Sequence, residues 1–121
     1  MYEISVTGEF TATHQLRYPD GRLEESHGHD WRVTATYVGP NLNEMGVLAD
    51  FGDVRGPLRA LLRTFDGQDL NRLPLLADRN PSAENVARVV AENLPQTLPG
   101  GVRLASVGVE EEPGCFARYV R

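Results

Sequence analysis

All three histidines of this chain lie between residues 14 and 29, as His14, His27 and His29. His27 and His29 are two apart, and in extended backbone that spacing turns both imidazoles to the same side, where they can share one metal ion. His14 must then approach from a separate strand. Three neutral imidazoles suit Zn²⁺ and leave a fourth coordination position for water or substrate, as in a catalytic rather than a structural zinc site. A hydroxyl or carbonyl held there is polarised, and its neighbouring proton becomes more acidic. The competing reading is a His-x-His pair on a solvated strand that binds nothing, and spacing alone does not separate the two.

Two groups of carboxylates bear on the same chemistry. Glu24 precedes His27 by three residues and has Glu25 beside it, so it reads either as a base near the histidines or as a loop carboxylate in water. Glu110-Glu111-Glu112 reads first as a solvated acidic run. Strand alternation nevertheless sends Glu110 one way and Glu111 the other, so at least one of them faces inward or into a cleft.

The elements that must position these residues follow from periodicity. Tyr2, Ile4 and Val6 alternate with polar neighbours, and the run continues through Phe10, Ala12 and His14 as a first strand. Trp31, Val33, Ala35 and Tyr37 form a second, ending at Gly39-Pro40. Tyr18-Pro19-Asp20-Gly21 breaks the chain between them, which leaves the histidines near strand ends. Val54, Leu58, Leu61, Leu62 and Phe65 fall at helical spacing, with Asp50 or Asp53 as cap and Pro57 tolerable only near the start. Val86, Val89, Val90 and Leu94 mark a second helix, capped by Ser82 and stopped by Pro95. The segment between the helices reads as a loop. Beyond Gly100-Gly101, Val102 and Leu104, then Val107 and Val109, alternate again, and Pro113-Gly114 turns the chain into Phe116 to Val120. The order is ββααββ, an α+β arrangement with both helices on one sheet face.

At 121 residues the chain is expected to form one domain spanning residues 1–121. A net charge of -5 argues against a nucleic-acid surface. No apolar run is long enough for a membrane span, and the N-terminus lacks a secretory pattern, so the expected location is the cytoplasm. Cys115 is the single cysteine and reads as a small semi-buried thiol. All twelve cationic residues are arginine, so an anionic ligand must be met by guanidinium groups or backbone N–H.

Five motifs resemble those of the 6-pyruvoyl- and 6-carboxytetrahydropterin synthases. Phe10-Thr11-Ala12-Thr13-His14 and His27-Gly28-His29 are similar to the family's F-x-A-x-H and H-G-H zinc motifs. Gly46 to Phe51 resembles G-x-x-x-D-F, Asn80 to Asn85 resembles N-P-T-S-E-N, and Val107 to Glu111 with Ala117-Arg118-Tyr119 resembles V-x-V-x-E-T and its trailing A-x-Y. The resemblance implies the tunnelling fold, with four antiparallel strands per subunit, a barrel closed by three subunits, and two trimers stacked as a homohexamer with ligand sites between subunits. It implies zinc on His14, His27 and His29, a small-molecule pterin as partner, and Glu111 as the anchor of the pterin ring. A carboxylate suits that task because it accepts from an amino group and a ring N–H side by side. Ser82 and Ala83 match positions that line the pterin pocket, Ala83 without the family's hydroxyl; helix capping is the alternative role of Ser82.

Four positions bear on the catalysis that the resemblance implies. Leu23 stands where the family carries its basic cysteine, and Phe65-Asp66-Gly67 corresponds to L-D-H, which keeps the aspartate as Asp66 and replaces the histidine by Gly67. Neither Leu23 nor Gly67 can exchange a proton. Glu24 resembles the E-x-x-H-G-H variant, whose members cleave the side chain of dihydroneopterin triphosphate and release 6-hydroxymethyldihydropterin. Two functions follow: a zinc-dependent lyase with Glu24 as base, or a binding protein for a pterin or purine-like ligand that does not catalyse the synthase reaction.

Overall fold

The computed structural model describes residues 1–121. Two long strands, β1 (Tyr2–His14) and β2 (His27–Gly39), open the chain and pair antiparallel along their whole length, from Tyr2 opposite Gly39 to His14 opposite His27. Helix α1 (Phe51–Arg63) follows, then a two-residue strand β3 (Gln68–Asp69) and two 3₁₀ turns at Leu70–Arg72 and Pro74–Leu76. Helix α2 (Ala83–Glu92), a short β4 (Thr97–Leu98), and strands β5 (Val102–Glu112) and β6 (Cys115–Val120) complete it. The sheet order is β3-β1-β2-β5-β4, with β6 also on β5. The ββααββ order thus holds for the long elements.

Side-chain alternation divides the sheet into two faces. Val6, Phe10 and Ala12 of β1, Trp31, Val33, Ala35 and Tyr37 of β2, and Val107 and Val109 of β5 are buried under the helices, against Val54, Leu58 and Leu62 of α1 and Val86, Val89 and Val90 of α2. The opposite face is polar, with Ser5 bonded to Thr36 and Glu9 paired with Arg32. Phe10 stacks on Trp31 with centroids 5.6 Å apart and meets Phe65 edge-on at 5.4 Å, tying the turn that follows the first helix to the sheet beneath the histidines.

Three expectations change in detail. The inter-helix segment is not a plain loop, because β3 adds in parallel to Ala12 and Thr13 and so covers the last part of the β1 edge. Pro57 lies in the second turn of α1, beyond the N–H groups that lack partners anyway, and the helix continues through it. Strand β5 carries a register shift, since Thr36 pairs with Ser106 while Tyr37 pairs with Leu104. Ala105 is the extra residue, and it explains why the buried positions change from even (Val102, Leu104) to odd (Val107, Val109). That change of phase puts Glu111 on the helix-covered face.

Candidate functional site

The register alone brings the three histidines together. His14 and His27 are direct cross-strand partners, and His29 lies opposite Ala12, whose methyl group leaves room for the ring. All three side chains point to the face that carries Phe10 and Trp31. Their centroids lie 4.5 Å (His14–His27), 4.8 Å (His27–His29) and 5.2 Å (His14–His29) apart. One ring nitrogen from each lies within 4.8 Å of the others. Trp31, fully buried, forms the floor at 4.8 Å from His14 and donates its indole N–H to the Ala12 carbonyl.

Tautomers follow from the hydrogen bonds. His14 Nδ1 lies 2.8 Å from the Pro81 carbonyl and His27 Nδ1 2.9 Å from the Glu25 carbonyl. A carbonyl only accepts, so both Nδ1 atoms carry the proton and both Nε2 atoms present a lone pair, the tautomer of a metal ligand oriented by its outer partner. The Nε2 atoms of His14 and His29 are buried and have no hydrogen-bond partner. Two buried ring nitrogens without partners, one of them the His14 lone pair, fit a cation held between them. His14 is 1 % exposed, and burial lowers its pKa, against the upward pull of the Pro81 hydrogen bond and the Glu111 charge.

Two carboxylates border the rings. Glu111 Oε1 stands 3.0 Å from His14 Nε2 with the side chain 26 % exposed. Glu24 Oε1 stands 3.9 Å from His27 Nε2 and accepts the Leu16 N–H at 2.9 Å, which fixes one of its two oxygens. An open cleft of about 480 Å³ runs past His29 and Glu111, walled by Asp30, Arg32 and Glu110.

The chain just beyond His14 is held by side chains acting as strand partners. Asn71 accepts the Gln15 N–H and donates to the Gln15 carbonyl, and Asn80 does the same for Arg17. Between them the Leu16 N–H is left for Glu24. Composition gave no signal for Asn71, while Asn80 lies in a motif already singled out; neither was expected to act here.

The remaining expected residues are not gathered with the histidines. Asp66 accepts the Thr11 N–H at 2.9 Å, on the β1 edge, and no hydrogen bond or ion pair links it to the rings. Gly67 has φ +73° and donates its N–H to the Thr11 carbonyl, so the turn into β3 needs a residue at ease in the left-handed region, a conformation costly for histidine. Leu23 is exposed, bridged to Arg17. The Ser82 hydroxyl accepts the Asn85 N–H as the cap of α2, and Ala83 packs partly buried against the core. Both adjoin the site through Pro81, whose carbonyl holds His14. Cys115 is exposed rather than semi-buried, and the Glu112 carboxylate beside its thiol raises its pKa.

The profile of the family described as 6-pyruvoyl tetrahydropterin synthase matches residues 3–121. The chain belongs to the 6-pyruvoyl tetrahydropterin synthase family. Among its relatives, a dihydroneopterin monophosphate aldolase of Pyrococcus furiosus is 26% identical over 108 residues, covering 89% of this chain and 88% of that protein. A probable 6-carboxy-5,6,7,8-tetrahydropterin synthase of Halobacterium salinarum is 27% identical over 119 residues, covering 88% and 79%. The 6-pyruvoyl tetrahydropterin synthase of Plasmodium vivax superposes with a TM-score of 0.84 at 20% identity, over 99% of this chain and 97% of that one. The Caenorhabditis elegans synthase gives 0.80 at 18%, over 99% and 95%. These structures establish the synthase fold for this chain. A further P. vivax structure is of a catalytic-residue mutant with glutamate replaced by alanine. No helix is long and apolar enough to cross a membrane.

Proposed function

We infer that this family member is a zinc-dependent lyase that binds a reduced pterin such as dihydroneopterin triphosphate and cleaves its side chain, with Glu24 as base. The observation that carries this reading is the approach of Glu24 to within 3.9 Å of His27 Nε2. The positions of the family cysteine and histidine are occupied by Leu23 and Gly67, and with Glu111 assigned to the ring, Glu24 is the carboxylate beside the histidines left to act as base. Two comparisons support it: a relative named as an aldolase acting on the monophosphate, and a synthase in which a glutamate is a catalytic residue.

His14, His27 and His29 would hold the zinc, through Nε2 in the case of His14 and His27, whose Nδ1 atoms are bound to carbonyls. Bound there, zinc would polarise the hydroxyl oxygens of the substrate side chain. Glu111 anchors the ring by accepting from its amino group and adjacent N–H. Glu24 takes the proton of the hydroxyl one carbon removed from the ring-bound carbon. The bond between those two carbons then breaks, its electron pair passes into the ring C=N, and the hydroxyl carbon leaves as an aldehyde. The proton returns to the ring-bound carbon, giving the hydroxymethyl product. Asp66 Oδ1 accepts the Thr11 N–H, and the steps above use Glu24 alone as base.

The subunits would assemble as a trimeric barrel stacked into a hexamer. β3 covers only Ala12 and Thr13 of the β1 edge, and β6 ends the sheet on the other side, which leaves two edges for partners to pair. A second reading, a binding protein without turnover, is favoured by the single observation that Gly67 serves a turn. Incubation of zinc-loaded protein with dihydroneopterin triphosphate and monophosphate separates the two: the lyase releases 6-hydroxymethyldihydropterin, and the binding protein returns its ligand intact.

A further inference from the structure

Glu111 approaches His14 in a way that a metal-free site does not satisfy. His14 Nδ1 gives its hydrogen to Pro81, so the Nε2 facing Glu111 Oε1 at 3.0 Å is a bare lone pair opposite a carboxylate oxygen. Two acceptors at that distance repel unless a positive charge lies between them. A proton on His14 would satisfy this pair and leave His29 Nε2, also buried and partnerless, as it is. One divalent cation satisfies all three atoms when His29 turns its Nε2 lone pair to it. Zinc ligands at ordinary bond lengths in tetrahedral array lie about 3.3 Å apart, close to the observed approach.

We propose that in the ligand-free protein the Glu111 carboxylate is itself a ligand of the metal held by His14, His27 and His29, closing the coordination position that the substrate must open. The inference rests on the zinc reading above and adds a competition, because the same carboxylate is needed by the pterin ring. Its location suits a group with two positions. Glu111 is the last inward-facing residue of β5, left out of the ladder where the pairing with β6 shifts between Glu110 and Glu112, and it borders the open cleft. A ring presenting an amino group and an N–H side by side draws Glu111 off the metal, and the vacated position becomes available to the side-chain hydroxyl. Ligands without that donor pair leave the metal closed, so ring recognition precedes activation.

The test is metal affinity without any pterin. Zinc is titrated against a chromophoric chelator in the wild type, Glu111→Gln and Glu111→Ala, and the visible spectra of the cobalt-substituted proteins are recorded. Loss of a direct ligand should weaken zinc binding by at least ~10-fold in Glu111→Ala, change the cobalt spectrum, and cause a smaller loss in the isosteric Glu111→Gln. Adding a pterin to the wild-type cobalt protein should then shift its spectrum, with no such loss of a carboxylate ligand in Glu111→Ala. Zinc affinities within twofold and superimposable cobalt spectra overturn this inference and leave the three-histidine zinc reading intact. A wild type that binds no zinc overturns both.

Discussion

His14 is gripped from two sides: its Nδ1 lies 2.8 Å from the Pro81 carbonyl at the entry to α2, and its Nε2 lies 3.0 Å from the Glu111 carboxylate at the end of β5. One buried imidazole therefore joins three elements that are far apart in sequence. The first fixes the tautomer, and the second leaves a lone pair facing an anion, which is where a cation belongs. Both sides of this relationship are open to experiment.

If Glu111 also accepts the forked pair of donors from the ring, Glu111→Gln should weaken binding of a stable reduced pterin by about 1.5–3 kcal/mol. Calorimetry on metal-free protein isolates the ring contact from any change at the metal. Equal affinities would remove Glu111 from the ring contact.

His14 also predicts a pH dependence. Its pKa is lowered in the folded state by burial, below the ordinary value of 6.5, so below that pH the unfolded chain takes up a proton that the folded chain refuses. Metal-free protein should therefore lose stability as pH falls from about 6.5 until the folded-state value is passed. Thermal melting across that window should show the slope, and His14→Gln should flatten it. A metal-free wild type whose stability is constant from pH 7 to pH 5 would contradict the burial argument.

Asn80 offers a test of the framework behind the histidines. It donates to the Arg17 carbonyl and accepts the Arg17 N–H, so Asn80→Asp sets a carboxylate against a carbonyl at one of the two contacts. A loss of about 1–3 kcal/mol is expected by denaturant melting. Retained stability would mean that the clamp is replaced by water without cost.

Edge pairing predicts the assembly. Light scattering at micromolar concentration should give a hexamer, or at least a trimer, because the edges of β1 and β6 left without a strand partner in the chain offer their backbone groups to neighbouring subunits. A monomer would remove the closure argument.

Much of this was legible in the residues. Alternation placed β1 and β2, helical spacing placed the two helices, and the two-residue spacing of His27 and His29 put them on one face. The inward turn of Glu111 was readable only as one of two options, because its phase depends on the extra residue at Ala105, and a bulge leaves no mark in composition. Asp66 and Gly67 looked like the remains of a catalytic pair. Their work on the Thr11 backbone arises from the parallel addition of β3, a tertiary pairing too short to be seen as a periodic run. The asparagine clamps were hidden for a similar reason, since a side chain that imitates a strand partner is identified only by what it meets.

The most direct measurement of the central claim is product analysis of zinc-loaded protein, with metal content determined, after incubation with dihydroneopterin triphosphate and with the monophosphate, in the wild type and in Glu24→Gln. Without a proton-exchanging group at Leu23 or Gly67, 6-pyruvoyltetrahydropterin should be absent. 6-Hydroxymethyldihydropterin should form from at least one substrate and fall by ~10²–10⁴-fold in Glu24→Gln. Robust formation of 6-pyruvoyltetrahydropterin by the wild type, or wild-type rates of cleavage in Glu24→Gln, would contradict the account.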